Sequence, residues 1–237
     1  YYDNIGYADL SDYFYIWMRN SLKEIYPSLF GTMLVPKAEE LVAIPYRFNG
    51  DAGKAKIFFE EGMLSTCKQL YTYASDEYPI SIYYAYKQSD TTEISPGKTT
   101  TASTGWETML SSIIKADLMI TGTWPIHTER ETGLKAHVNA LASSIVLICR
   151  KRPQNAPQTT KKNFVNGLRR ELRPALKKLQ DSNIAPVDLA QSAIGPGMGV
   201  FSQYRQVLEA DGTAMSVRSA LQIINEEVDL YFNEQIG

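Results

Sequence analysis

Three short apolar segments, with one capped helix between the first two, limit the folds open to this chain more than any other feature. Ile80-Ser-Ile-Tyr-Tyr-Ala-Tyr86 is β-branched and aromatic, follows Pro79, and reads as a strand. Leu118-Met-Ile-Thr-Gly-Thr-Trp124 and Ser144-Ile-Val-Leu-Ile-Cys149 read as two more. Thr104-Gly-Trp-Glu107 has the spacing of a capping box, in which hydroxyl and carboxylate satisfy each other's backbone donors at a helix start. The helix it opens is expected to bury Met109, Leu110, Ile113 and Ile114. A capped helix between two short apolar strands is the crossover unit of a parallel sheet, so the expected class is α/β of the doubly wound kind. Pro125 to Ala142 shows no convincing helix, and a last strand returning without one must run antiparallel.

The flanking segments are helical. From Asp9 to Tyr26, Leu10, Tyr13, Phe14, Trp17, Met18, Leu22 and Ile25 recur at three- and four-residue steps, which predicts an amphipathic helix closed by Pro27. A second pattern runs from Ala52 to Ala74, with Val35 to Phe48 an irregular connection between the two. Asp90 to Ser103, rich in Ser, Thr, Pro and Gly, reads as a mobile loop. After Pro153 the character changes. Lys161 to Gln180 is a basic helical pattern that Pro174 is expected to kink or split, Val187 to Ala193 a short helix, and Ser216 to Phe232 a third, with Val217, Leu221, Ile224, Val228 and Tyr231 on one face. The expected organisation is a catalytic-type α/β part over residues 1–153 and a helical module over 154–237.

With 237 residues and 44% hydrophobic content, the chain has enough apolar material for a sizeable core. No apolar run reaches the roughly 18 residues of a membrane span, and the first residues lack a basic-then-apolar signal, so a cytoplasmic protein without a membrane partner is expected. Cys67, Cys149, His127 and His137 are too few for a disulfide framework or a zinc centre, so no metal is expected. Both cysteines read as inert core thiols. The formal net charge of −2 hides an asymmetry: ten cations and one acid lie between Arg150 and Lys178, a local net of +9. Such a segment is either the footprint of a polyanion or a solvated helix face. On the first reading Arg150, Lys151, Arg152, Lys161, Lys162, Arg169, Arg170 and Arg173 contact DNA.

Gly195-Pro-Gly-Met-Gly199 lacks a preceding strand and the spacing of a nucleotide loop, and reads as a turn between helices. Two other stretches invite a ligand. Tyr1-Tyr-Asp-Asn4 places aromatic and amide groups ahead of a helix, and Thr121-Gly-Thr-Trp-Pro-Ile-His-Thr-Glu129 places Trp124 past the expected end of a strand, where it can stack on a planar ligand.

Tyr1-Tyr-Asp-Asn-Ile-Gly-Tyr-Ala-Asp-Leu-Ser-Asp12 and Thr121-Gly-Thr-Trp-Pro125, together with Ser103-Thr-Gly-Trp-Glu-Thr-Met109, Asn139-Ala-Leu-Ala-Ser-Ser-Ile-Val-Leu147, Gly195-Pro-Gly-Met198 and Val207-Leu-Glu-Ala-Asp-Gly212, resemble the C-terminal part of the large adenine-specific DNA methylases that carry the DUF1156 domain, found among prokaryotic restriction-like and anti-phage systems. The resemblance implies a partial Rossmann-like methyltransferase sheet, its later strands ending in an antiparallel hairpin, followed by a helical C-terminal module. In that family Asp-Pro-Pro precedes the opening stretch, so Tyr1 occupies the place of the motif tyrosine. The acid and a proline carbonyl accept hydrogen bonds from the exocyclic amine of a flipped adenine while the tyrosine stacks on the ring. The implied catalytic residue is Tyr1, and the implied base pocket is Tyr1, Tyr2, Asn4 and Trp124. S-adenosylmethionine is the methyl donor of the parent enzyme; this chain, without Asp-Pro-Pro and a glycine-rich turn, is not expected to bind it or to be active alone. DNA, and other subunits of a prokaryotic defence system, are the implied partners. The competing expectation is a non-catalytic DNA-binding or protein-docking module, with RNA methylation a third reading.

Overall fold

The computed structural model describes residues 2, 5–84, 92–95, 98–100, 104–127, 143–181 and 186–236. The chain divides into two compact units, 1–63 and 64–237. The division expected at 153/154 therefore falls inside the second unit.

The first unit is built on α1 (Tyr7–Leu22) and the opening turns of α2 (Ala52–Tyr73), joined by an irregular segment that ends in a single 3-10 turn, Pro45–Phe48. Arg47 organises that segment. Its Nη2 donates to Asp9 at 3.0 Å and to Glu40 at 2.6 Å, and its Nη1 donates to the Lys37 carbonyl at 3.0 Å. The other Glu40 oxygen accepts from the Ala8 N–H at 3.0 Å, supplying the first turn of α1 with an acceptor that Gly6, at its N-cap, cannot offer. The helix forms as expected but with its apolar stripe outward: Leu10, Tyr13, Phe14, Trp17 and Met18 are 49–67% exposed. Its buried side is instead Ala8 and Tyr15. The Tyr15 hydroxyl lies 2.9 Å from Thr32 Oγ1 and its ring packs on Phe30, which fixes the rotation of the helix.

The second unit contains a three-stranded sheet of β1 (Ile80–Tyr84), β4 (Leu118–His127) and β5 (Ser143–Lys151). The order is β1-β5-β4, with β5 antiparallel to both neighbours. β1 and β4 thus run the same way, joined through α3 (Thr104–Lys115), but β5 is inserted between them rather than added outside. A small hairpin, β2 (Thr92–Ser95) with β3 (Lys98–Thr100), occupies part of the segment expected to be a loop. The strand face bearing Tyr84, Ile145, Leu147, Cys149, Leu118 and Ile120 is buried, and Trp106 of α3 stacks on Tyr84 at 5.6 Å. Trp106, Leu110 and Ile113 are at most 1% exposed, and each such side chain contributes about 1.5–3 kcal/mol by leaving water. The Glu107 carboxylate in the first turn of α3 accepts from Arg218 at 2.9 Å.

The helices after residue 154 pack on this sheet rather than forming a separate module. α4 (Lys161–Asp181) passes through Pro174 as one helix and buries Phe164, Leu168, Leu172 and Leu176. Ahead of it β6 (Gln158–Thr160) pairs in parallel with β7 (Gln206–Leu208), so a strand lies just after the expected division at 153/154. α6 (Val217–Ile236) buries all five residues of its expected apolar face, and the Ser216 hydroxyl accepts from the Ser219 N–H at its start.

α5 (Pro186–Ser202) corrects the reading of the glycine run: Gly195-Pro-Gly-Met-Gly199 lies inside this helix. A Cβ on Gly195 would overlap the Thr123 side chain of β4, and one on Gly199 would stand 3.4 Å from the Ile120 carbonyl. A Cβ on Gly197, pointing elsewhere, would meet Ile224 of α6 at 2.6 Å. The glycines let α5 approach β4 and α6 at backbone distance. The Ile120 N–H of β4 then donates to Ser202 Oγ at 2.9 Å. Gly195→Ala is expected to cost about 1–3 kcal/mol through overpacking. Gly167→Ala in α4, where a Cβ meets only ordinary contacts with Tyr204 and Val200 at 3.7 and 3.8 Å, is expected to stabilise by about 0.5–1 kcal/mol. Urea unfolding of the two variants checks both signs.

Candidate functional site

Of the residues expected to hold a base, Tyr1 and Asn4 lie outside the described residues. Tyr2 is engaged within the first unit: its carbonyl accepts from the Ala43 N–H at 2.8 Å, and its ring meets Phe59 edge-on at 4.9 Å. Trp124 is not past the end of a strand, since β4 continues to His127. It stands on the sheet face opposite the core, 59% exposed, with its six-membered ring about where a Gly122 side chain would project. Tyr83, at 71% exposure, occupies the same cross-strand row through Val146. The strand alternation of Ile80 to Tyr84 already separates Tyr83 from the buried Tyr84, but not until β5 is placed between β1 and β4 do Tyr83 and Trp124 share a row.

The cationic segment is largely answered from within the protein. Arg169 pairs with Glu227 at 2.7 Å and Arg173 with Glu234 at 2.8 Å, joining α4 to α6, and Lys161 pairs with Glu209 at 3.1 Å. Hydrogen bonds donated to Glu227 and Glu234 raise the pKa of these two arginines, holding them charged. Arg170 pairs with its neighbour Glu171 and is exposed, as is Lys162. Arg152 is the clear correction among the expected DNA contacts. Its side chain is 4% exposed, and it donates to the carbonyls of Ile114 at 2.7 Å, Arg205 at 3.3 Å and Leu118 at 3.4 Å. Burial lowers its pKa, opposed by Asp117 at 3.8 Å, and its Nε has no hydrogen-bond partner among the described residues. An arginine spent on three carbonyls ties the end of α3 to the start of β4 and is not presented to a phosphate.

Arg150 and Lys151 are different. They line a pocket of about 410 Å³ with Tyr71, Asp76, Met119 and Arg152. Arg150 Nη1 donates to the Glu77 carbonyl at 3.0 Å. Lys151 lies 2.9 Å from Asp76 and 5.4 Å from the centre of the Tyr71 ring. Tyr71, Asp76 and Glu77 carried no signal in the sequence, because their role depends on where α2 ends against β5.

S-adenosylmethionine does not fit the described residues. The glycines of α5 are filled by Thr123 and Ile224, leaving no cradle, and a pocket lined by Arg150, Lys151 and Arg152 opposes a sulfonium cation. No cluster of three His, Cys, Asp or Glu side chains able to hold a metal, and no helix long and apolar enough to cross a membrane, occurs among the described residues. No family model, curated protein or solved structure matches the chain.

The cysteines are core residues. Burial pushes the Cys67 thiol up to about 11, and burial together with the neighbouring Cys67 pushes Cys149 up to about 12. Neither is expected to react with an aromatic disulfide reagent in the native protein at pH 7.5, and both should react in guanidinium. Because these folded-state values lie above the unfolded one, near 9.0, their contribution to stability is complete below that pH and is lost as pH rises through about 11 and 12. The stability difference between this protein and its Cys67→Ala/Cys149→Ala variant, followed by urea unfolding at pH 8 and 10.5, should report that loss. Arg152→Met is expected to cost about 1–3 kcal/mol by stranding buried carbonyls, whereas Arg170→Met should leave the melting temperature nearly unchanged.

Proposed function

We infer that this chain is the later part of a DNA adenine methyltransferase, with a Rossmann-like sheet, whose parent protein transfers a methyl group to the exocyclic amine of a flipped adenine. The observation that carries the reading is the sheet order β1-β5-β4: two strands of one direction joined through α3, with an antiparallel strand returning between them. An antiparallel return supports the reading, as do the residue resemblances at Tyr1 to Asp12, Thr121 to Pro125 and Asn139 to Leu147. Tyr1 stacks on the flipped base in this reading, and Trp124, on the open sheet face, supports the base or the nucleic-acid strand beside it. The methyl donor is held by parts of the parent that carry a glycine-rich turn, since the described residues do not fit it. Orientation of the amine toward the donor, rather than acid–base chemistry by this chain, then accounts for the rate. The cytoplasm, where the DNA is, is the compartment that goes with this function.

Docking through the last helix, the feature that would favour a non-catalytic module, loses its support because Val217, Leu221, Ile224, Val228 and Tyr231 are all buried.

The coding sequence ahead of Tyr1 is expected to specify Asp-Pro-Pro and, farther upstream, a glycine-rich turn after a strand. The protein including both should form N6-methyladenine in DNA with S-adenosylmethionine, read by mass spectrometry of digested nucleosides, while the 237-residue chain alone forms none. A different upstream motif, or robust methylation by the shorter chain, would overturn the reading.

A further inference from the structure

We propose that the pocket where the end of α2 meets the start of β4 and the end of β5 is a phosphate-binding site, with Arg150 and Lys151 as the residues that hold the phosphate. Both cations are positioned before any ligand arrives. Arg150 is fixed by one donated bond to the Glu77 carbonyl, at 3.0 Å, and the guanidinium carries five N–H donors in all. Lys151 is only 24% exposed, held over the Tyr71 ring at 5.4 Å. An arginine that can offer two parallel donors, beside an ammonium that acts as a point charge, matches the geometry and charge of a phosphate. Behind them the buried charge of Arg152 is answered by backbone carbonyls and by an Asp117 carboxylate 3.8 Å away, so the phosphate is held by Arg150 and Lys151.

The acid in the lining, Asp76, is 84% exposed and bonds Lys151 alone, at 2.9 Å. With Asp76 beside Lys151 and Asp117 near Arg152, the pocket's positive charge rests on Arg150, whose bond is to a neutral carbonyl. The cations of α4 are in the opposite condition, since Arg169 and Arg173 are each matched by a glutamate of α6. The pocket's size, about 410 Å³, falls in the range of roughly 300–1,000 Å³ typical of small-molecule sites, and Tyr71 and Met119 add an apolar wall. The ligand is therefore a phosphate carried on a larger body, which is either a nucleic-acid backbone or a free phosphorylated compound. This site is independent of methyl transfer.

Two titrations on the whole chain test it: inorganic phosphate by calorimetry, and a fluorescein-labelled 16-base-pair duplex by anisotropy between 50 and 200 mM salt. Arg150→Gln/Lys151→Gln is expected to weaken phosphate binding by about tenfold or more, and Asp76→Asn, which frees Lys151, to tighten it by about threefold. If the source is nucleic acid, the double variant also flattens the slope of log affinity against log salt by about 2, whereas Lys162→Gln/Lys177→Gln on α4 leaves the loss of inorganic phosphate unreproduced. If the source is a free phosphorylated compound, phosphate binding falls and the duplex slope does not. No phosphate binding by the unaltered chain, or unchanged affinity in the variants, overturns the proposal. Should the double variant fail to fold by circular dichroism, Asp76→Asn decides alone, and its failure to tighten binding is then the overturning result. No readout depends on adenine methylation, so the site and the methyltransferase reading fail separately.

Discussion

The contact between α5 and the outer edge of β4 is the constraint on which the second unit depends. A strand at the edge of a sheet exposes a row of backbone donors and acceptors, and a helix can cover that row only if its side chains do not intervene. Here Gly195 and Gly199, four residues apart and so on one side of the helix, remove the obstacle, and the Ser202 hydroxyl answers the Ile120 N–H. Gly197 does the same toward Ile224, so one glycine-rich turn of helix is held between a strand and α6. With α5 fixed, α4 and α6 have a surface to pack on. The helices thus belong to the same unit as the sheet instead of following it as an appendage.

Electrostatics in this unit are arranged around intramolecular partners. The net charge of the Arg150 to Lys178 segment looks like a nucleic-acid footprint when counted along the chain, yet in space the acids of α6 stand opposite Arg169 and Arg173. Exposed pairs of this kind add little stability, but they remove much of the field that would attract phosphate. Arg152 goes further and becomes part of the core, donating to three carbonyls with Asp117 3.8 Å away. Lys162 and Arg170 stay exposed on α4, while the half-buried Arg150 and Lys151 line a pocket at the end of β5, so position relative to that strand matters more than local charge density.

Much of the fold was legible where one physical preference acted alone. The strands at Ile80, Leu118 and Ser144, the antiparallel return, and the buried face of α6 all followed from apolar patterning and turn residues. The misreadings arose where tertiary contact outweighed local propensity. Three glycines and a proline argue for a turn unless a strand edge and another helix stand close enough to need them. The stripe from Leu10 to Met18 argues for a buried face, but Tyr15, through Thr32 and Phe30, turned the opposite side of α1 inward. The candidate site was less legible still. Arg152 and Arg150 are alternate residues of one basic run, and nothing in composition distinguishes the one that is buried. Tyr83 and Trp124 are 41 positions apart in sequence and gain their common row from β5 alone.

The insertion of β5 also carries a kinetic consequence. Among the described residues, β1 and β4 have no partner in their sheet except β5, and β5 is the last of the three to be synthesised. A ribosome that has completed β1 and β4 has made two strands that cannot yet pair, and both remain open until Ser143–Lys151 emerges. Among the described residues, pairing within this sheet therefore waits for its central strand, whose arrival closes two long loops at once.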